Sequence, residues 1–297
     1  MTDRFSAPRR KLLAAAALAP GALMLASRAF AAPAAPALEA GLKELEATTG
    51  GRLGLALLDG QGAPLLQYRA EERFPLCSTF KMMLTACILQ KSAGDAALMA
   101  HRIAVNRHVL VSHSPVVEKH VGQTISVEEL CAAAMTHSDN AAANLLLDIA
   151  GGPAGLTAYA RSLGDRDFFL ARNEPAMATA IPGDKRDTTT PQSMAQSLYR
   201  LVLADALPAR QREQLLNWMR ANLTGDKRIR AGVPPGWLVA DKTGGGDYGT
   251  TNDIAVLHRP DKAPLVLAIY FTQKRKNTAL RDDVVAAAAR VAVAGIT

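Results

Sequence analysis

A chain of 297 residues, 49% apolar and 21% charged, can bury a large core and is too apolar to be disordered. Residues 1–31 carry Arg4, Arg9, Arg10, Lys11 and Arg28 against Asp3, so their removal lowers the net charge from +7 to +3. A balance that mild, with no long basic run, excludes an electrostatic nucleic-acid binder.

The basic start, the apolar run Leu12–Ala26 and the small-x-small site Ala29-Phe30-Ala31 read as a signal peptide over residues 1–31. Arg9-Arg10 ahead of Leu12-Leu13 suggests the twin-arginine route, hence a periplasmic protein with no stable membrane anchor after cleavage. Residues 38–47 form an amphipathic helix, with Leu38, Leu42 and Leu45 on one face. Arg52–Leu58 and Leu65–Tyr68 form a hairpin around Asp59-Gly60. A mostly apolar helix runs from Ser78 to about Gln90, and apolar character all round predicts burial. Helices follow at Ser126–Met135, opened by a Ser-x-x-Glu capping box, at Asn140–Ile149, and at Ala154–Leu163 after Gly151-Gly152-Pro153. Residues 165–189 have no period, and an aperiodic stretch that long is usually functional. Thr190 caps a helix with Pro191 at its first position, and another spans Ala209–Leu223. Strands are expected at Trp237–Thr243, Ile254–His258 and Leu265–Thr272, with a turn at Gly244-Gly245-Gly246, before a last helix at Leu280–Val293.

Strands at both ends with helices between them predict α/β plus all-α architecture. One antiparallel five-stranded sheet, flanked by helices, is built from both termini, and a helical domain is inserted into it. The boundaries are residues 38–69 and 221–297 for the sheet domain and 70–220 for the helical one. A site is expected in the crevice between them. Cys77, Cys87 and Cys131 are odd in number, and each reads as a small buried apolar residue. The six histidines show no ligand spacing, so neither a metal nor another cofactor is expected. Nothing requires more than a monomer.

Ser78 and Lys81, three apart in a helix, share a face, and a partly desolvated lysine can take a proton from a hydroxyl. About one Ser-x-x-Lys arises by chance in a chain this long. Ser138-Asp139-Asn140, in a turn between helices, and Lys242-Thr243-Gly244, at a strand end, are each far rarer. The three motifs in this order resemble a known signature of serine acyl-transfer enzymes, and that resemblance implies a serine nucleophile.

From Phe74-Pro75-Leu76-Cys77-Ser78-Thr79-Phe80-Lys81 through Ser138-Asp139-Asn140, Glu174-Pro175 and Ile181–Pro191 to Asp241-Lys242-Thr243-Gly244 and Gly249–Asp253, the sequence resembles a class A serine β-lactamase over about residues 38–295. The resemblance implies hydrolysis of the β-lactam ring of penicillins and cephalosporins, and antibiotic resistance. It makes Ser78 the nucleophile, with Lys81 or Glu174 taking its proton. Ser138 relays a proton to the leaving nitrogen. The N–H groups of Ser78 and Gly245 form the oxyanion hole. Asn140, Lys242, Thr243 and Gly244 contact substrate, Arg228 offers a second carboxylate-binding guanidinium, and His113 flanks the cleft. Residues 168–187 are the family's Ω-loop, closed by Arg172 and Asp187, and its Glu174 activates the deacylating water. The family's disulfide ending at Cys131 has Thr85 at its partner position here, and Cys87 points elsewhere, so no bridge is expected. Ala178 stands where the family has a water-holding asparagine, which puts fast deacylation in question. A receptor that is acylated without turnover, and a DD-peptidase, are the alternatives.

Overall fold

The computed structural model of the chain describes residues 34–296, and the signal peptide read at residues 1–31 lies outside them. Strands β1 (Arg52–Leu58) and β2 (Pro64–Tyr68) form the first hairpin. The Asp59 carboxylate fixes its turn by accepting from the N–H groups of Gln61 (2.9 Å) and Ala63 (2.8 Å). The last quarter of the chain adds β3 (Leu238–Gly246), β4 (Thr250–His258) and β5 (Leu265–Thr272). The sheet order is β2-β1-β5-β4-β3, and every neighbouring pair is antiparallel. β1 lies beside β5 from Arg52↔Thr272 to Leu58↔Val266, so the two ends of the chain meet at the sheet centre.

Both faces of this sheet are buried. Leu53, Leu55, Leu57, Leu267, Ile269 and Phe271 point to an outer face covered by α1 (Ala34–Thr49) and by a C-terminal helix, residues 282–293. Ala56, Leu58, Ile254, Val256, Ala268 and Tyr270 point the other way, into one continuous core with the helices between the strands. The strands are therefore apolar at nearly every position rather than alternating.

Those helices are α2 (Phe80–Gly94), α3 (Val127–Thr136), α4 (Asn140–Ala150), α5 (Gly152–Ser162), α6 (Pro191–Val202) and α7 (Ala209–Arg220); the C-terminal helix, Asp282–Val293, is α8. Phe80 to Leu89 of α2 are all buried, which makes α2 the axis of the helical layer. The capping box of α3 is complete: Ser126 Oγ accepts from Glu129 N and Glu129 Oε2 from Ser126 N. Thr190 Oγ1 accepts from Ser193 N at the start of α6.

Three local expectations need correction. Gly244-Gly245-Gly246 is not a turn but the end of β3, paired with Asn252, Thr251 and Thr250; the reversal comes at 247–249. These glycines serve close approach: a Cβ on Gly246 would lie 2.5 Å from the Ala178 carbonyl oxygen and 2.7 Å from Cys77 Sγ. Ser78 precedes α2 in a single 3₁₀ turn, Cys77–Thr79, rather than opening the α-helix itself. Gly151, at φ +87°, ends α4, but Gly152 already begins α5, with Pro153 in its first turn, where no N–H is missed. A short antiparallel pair, Arg102–Ala104 with Thr124–Ser126, carried no clear alternation in the sequence.

Candidate active site

The strap leading to Ser78 is held from several sides. Phe74 and Pro75 pair with Thr189 and Thr188, and Leu76 N donates to the Asp187 carbonyl (2.8 Å). From β4, Asn252 Nδ2 donates to the carbonyls of Pro75 (2.8 Å) and Leu76 (3.2 Å). Cys77 then takes φ +42°, in the left-handed region that non-glycine residues avoid. Such strain persists only where the surroundings over-determine it, and it clusters at functional sites.

Lys81, one turn after Ser78, is wholly buried and directs its ammonium back at the serine. Lys81 Nζ donates to Ser78 Oγ (3.0 Å), the Ser138 carbonyl (2.7 Å) and Asn140 Oδ1 (2.5 Å), and forms an ion pair with Glu174 Oε1 (3.3 Å). Ser78 Oγ in turn donates to Glu174 Oε1 (3.2 Å). Burial pushes the Lys81 ammonium below its usual range, opposed by Glu174. Across the cleft, Lys242 Nζ donates to Ser138 Oγ (3.1 Å) and its own strand's Thr243 carbonyl (2.9 Å). Burial first, and the Lys81 charge second, hold Lys242 at about 7. Ser138 Oγ thus lies between two buried amines, with Lys81 Nζ at 3.4 Å. Ser78, Lys81, Ser138, Asn140, Glu174 and Lys242 thus lie in one contiguous network.

The turn before α4 is built to present these groups. Ser138 has φ +57°, and Asp139 caps the helix by accepting from Ala142 N (2.9 Å). The other oxygen of Asp139 accepts from Val116 N (2.9 Å) and Val117 N (3.0 Å), tying the loop that carries His113 to α4. Asn140 is engaged at both ends, since its Nδ2 donates to the Ser112 carbonyl (2.9 Å). His113 (φ +61°) is exposed; its Nε2 lies 3.0 Å from the His137 carbonyl, and its own carbonyl accepts from Asn140 N (2.9 Å). One residue beyond the motifs stands out. Asn144 Nδ2 donates to the Glu174 carbonyl and its Oδ1 accepts from Glu174 N, both 3.0 Å, a two-point clamp on the carboxylate's backbone. The sequence signal was Asn144's place four residues after Asn140, on the same face of α4.

The loop that carries Glu174 closes on Asp187. Arg172 Nε donates to Asp187 Oδ2 (2.6 Å), and Asp187 Oδ1 accepts from the N–H groups of Ala171 (2.7 Å) and Arg172 (3.0 Å). The Glu174–Pro175 peptide is cis. Ala178 offers no side-chain polar group, and its carbonyl accepts from Asp247 N (3.0 Å), latching the loop to the β3–β4 turn.

β3 forms the opposite wall. A Cβ on Gly244 would lie 3.1 Å from the Leu76 carbonyl oxygen, so this strand runs tight against the strap of Ser78. Gly245 pairs with Thr251 beside it. Thr243 Oγ1 is hydrogen-bonded to Thr224 Oγ1. Arg228 is buried, and its donors are largely spent on the protein: Nε to Asp282 Oδ1, and Nη1 to the Gly244 and Asn252 carbonyls, each 2.7 Å. It knits β3, β4 and α8 together, with Nη2 about 4.0 Å from a Cβ built on Gly245. Cys77, Cys87 and Cys131 are buried free thiols, as expected. Among the described residues, no cluster of His, Cys, Asp or Glu could hold a metal, and no helix is long and apolar enough to cross a membrane.

The model of the β-lactamase enzyme family matches residues 37–296. Beta-lactamase Toho-1 of Escherichia coli is 48% identical over 287 residues, 97% of this chain and 98% of its own. Beta-lactamase CTX-M-97 of Escherichia coli is 50% identical over 254 residues, 86% of this chain and 87% of its own. A crystal structure of a β-lactamase from Burkholderia phymatum, 49% identical, superposes with a TM-score of 0.87 over 89% of this chain and 100% of that one. One from Desulfarculus baarsii DSM 2075, 50% identical, reaches 0.86 over 88% and 97%.

Proposed function

Because the chain belongs to the β-lactamase enzyme family, we propose that it hydrolyses the β-lactam ring of penicillins and cephalosporins through an acyl-serine intermediate, as a class A serine enzyme that confers antibiotic resistance. The observation that carries this reading is the meeting of Ser78 Oγ, Lys81 Nζ and Glu174 Oε1 within 3.0–3.3 Å of one another. Ser78 Oγ attacks the lactam carbonyl carbon, and its proton passes into the Lys81–Glu174 pair. The N–H groups of Ser78 and Gly245 stabilise the oxyanion; losing one such donor typically costs about 100- to 1,000-fold in rate. Ser138, polarised by two buried amines, protonates the ring nitrogen as the C–N bond breaks. Lys242 and Thr243 bind the substrate carboxylate, with Gly244 alongside them, and Asn140 turns its amide to the substrate's side chain. Arg228 adds positive field behind Gly245, and His113 flanks the cleft. Glu174 then activates the water that frees Ser78.

In this reading the cleft lies between a sheet domain (38–69 and 221–297) and a helical domain (70–220), and the Ω-loop closes it from below. Residues 1–31 direct export to the periplasm, where the enzyme acts as a monomer. The test is a chromogenic cephalosporin given to the purified protein: ring opening is expected, and Ser78→Ala abolishes both opening and the covalent adduct. A parent protein that leaves the chromophore closed overturns the proposal.

Ala178 favours a second reading, an acylated receptor with slow turnover, because no amide at 178 holds the deacylating water. An acyl adduct of the parent that persists for hours by intact-protein mass spectrometry supports the receptor. As an enzyme limited at deacylation, the protein gains turnover in Ala178→Asn; a variant that deacylates no faster removes Ala178 as the cause.

A further inference from the structure

A cleft of about 650 Å³ opens between the outer lobe of the Ω-loop and the end of the sheet formed by the start of β1 and the end of β5. None of the residues assigned to catalysis above lines it. Its volume falls within the range of small-molecule sites. Pro75, Ala180, Ile181 and Pro182 give it apolar walls, with Ile181 45% exposed.

The charges around these walls are unequally satisfied. The two acidic wall residues are already paired: Glu72 with Arg52 (3.0 Å) and Arg69 (2.9 Å), and Asp184 with Arg186 (2.8 Å). Arg52 and Arg73 also donate to backbone, at the Arg73 and Asp167 carbonyls. Lys185 and Lys274 stand exposed at the rim, one on the loop and one two residues past the end of β5, with no carboxylate within ion-pair distance among the described residues. Two unspent ammonium groups over an apolar floor complement one kind of ligand, a small molecule with an aromatic or aliphatic body and a sulfonate or carboxylate head.

The cleft wall is also wired to the catalytic loop. Asp184 Oδ2 lies 3.9 Å from Arg172 Nη2. The same guanidinium holds Asp187 and donates to Thr179 Oγ1 (3.1 Å), closing the loop on which Glu174 sits. We propose that this cleft is a binding site for a small amphipathic organic anion, and that its occupancy alters turnover through the Arg172 closure of the Ω-loop. The coupling rests on the catalytic reading given above; the binding does not.

The probe is 8-anilinonaphthalene-1-sulfonate, titrated into the folded protein by fluorescence. Saturable binding is expected, weakened at least tenfold by Lys185→Glu combined with Lys274→Glu. It also weakens in high salt, as contacts to exposed charge do. Lys276→Glu, whose ammonium pairs with Asp247 outside the cleft, leaves the affinity within twofold. Binding survives acylation of Ser78 in a Glu174→Ala background. Absence of saturation, undiminished affinity in the double variant, or displacement of the probe on acylation overturns the site. Saturating probe changes kcat at least twofold in the parent and not in the double variant; an unchanged kcat with binding intact overturns the coupling. A protein that never acylates defeats the catalytic reading and leaves the titration standing.

Discussion

In the proposed mechanism Glu174 acts twice, once on Ser78 and once on water, and only the second role lacks a stand-in. Ser78 Oγ has a second candidate proton acceptor beside it, Lys81 Nζ at 3.0 Å, so acylation is expected to survive the loss of the carboxylate. Glu174→Ala is expected to acylate at a measurable rate and then accumulate the acyl-enzyme. Intact-protein mass spectrometry after mixing with a penicillin reads this directly, and rapid return of free enzyme would refute the role. Lys242 gives a pH signature. Buried beside Lys81, its ammonium titrates at about 7, so its charged fraction falls as pH rises through that value. Each unit well above it removes about tenfold of the charged form, and with it the attraction for the substrate carboxylate. KM should therefore rise steeply between pH 7 and 9. Lys242→Arg keeps its charge throughout this range and should flatten the profile, whatever it costs in kcat. Of the side chains proposed to act in catalysis, Ser78, Lys81, Ser138 and Lys242 were legible because each sits in a short motif, whereas Glu174 was legible only through the family resemblance. The resemblance marked Arg228 as a second carboxylate-binding guanidinium, but its position in the chain does not reveal that Asp282 and two carbonyls already occupy its donors.

At the level of elements, the Ω-loop has no repeating backbone ladder and depends on a few side chains. Asp187 is 1% exposed and accepts from two backbone N–H groups and the Arg172 guanidinium. Asp187→Ala strands all three donors, and breaking such a buried pair from one side costs about 3–5 kcal/mol. The loss is local to the loop that aims Glu174. Deacylation should therefore slow more than acylation, and Tm should fall; pre-steady-state kinetics that show both steps slowed equally would place the damage elsewhere. The loop's existence was legible as an aperiodic stretch between two capped helices. Its closure by Arg172 and Asp187 was legible only through the family resemblance, because the two residues meet only when the chain folds back on itself. Asn144 was not singled out at all, because its two bonds to the Glu174 backbone join residues thirty apart. The glycine triplet misled for a related reason. Glycine marks both turns and places where another backbone presses close, and here the Ala178 carbonyl and the Cys77 thiol do the pressing.

On the scale of the whole molecule, the sheet separates stability from chemistry. Its inner face shares a core with α2, the helix that follows Ser78 and carries Lys81, so substitutions there reach the site. Its outer face meets α1 and α8 in a second core that contains none of the side chains proposed to act in catalysis. Sequence alternation could not show which residues face which way, because both faces are apolar; the register of β1 against β5 assigns them. Leu267 is fully buried on the outer face, opposite Leu57 in the neighbouring strand. Leu267→Ala leaves a cavity that costs about 2–5 kcal/mol, which for a domain of this size lowers Tm by roughly 5–15 °C. Its neighbour Ala268 points inward, and the backbone between them is pinned by β1 on one side and β4 on the other. The cavity therefore has no rigid path to Ser78. At 20 °C, well below the lowered Tm, kcat for a chromogenic cephalosporin should stay within about twofold of the parent. A large loss of kcat without unfolding would show that the two cores are mechanically one, and that the outer helices position the site as well as cover the sheet.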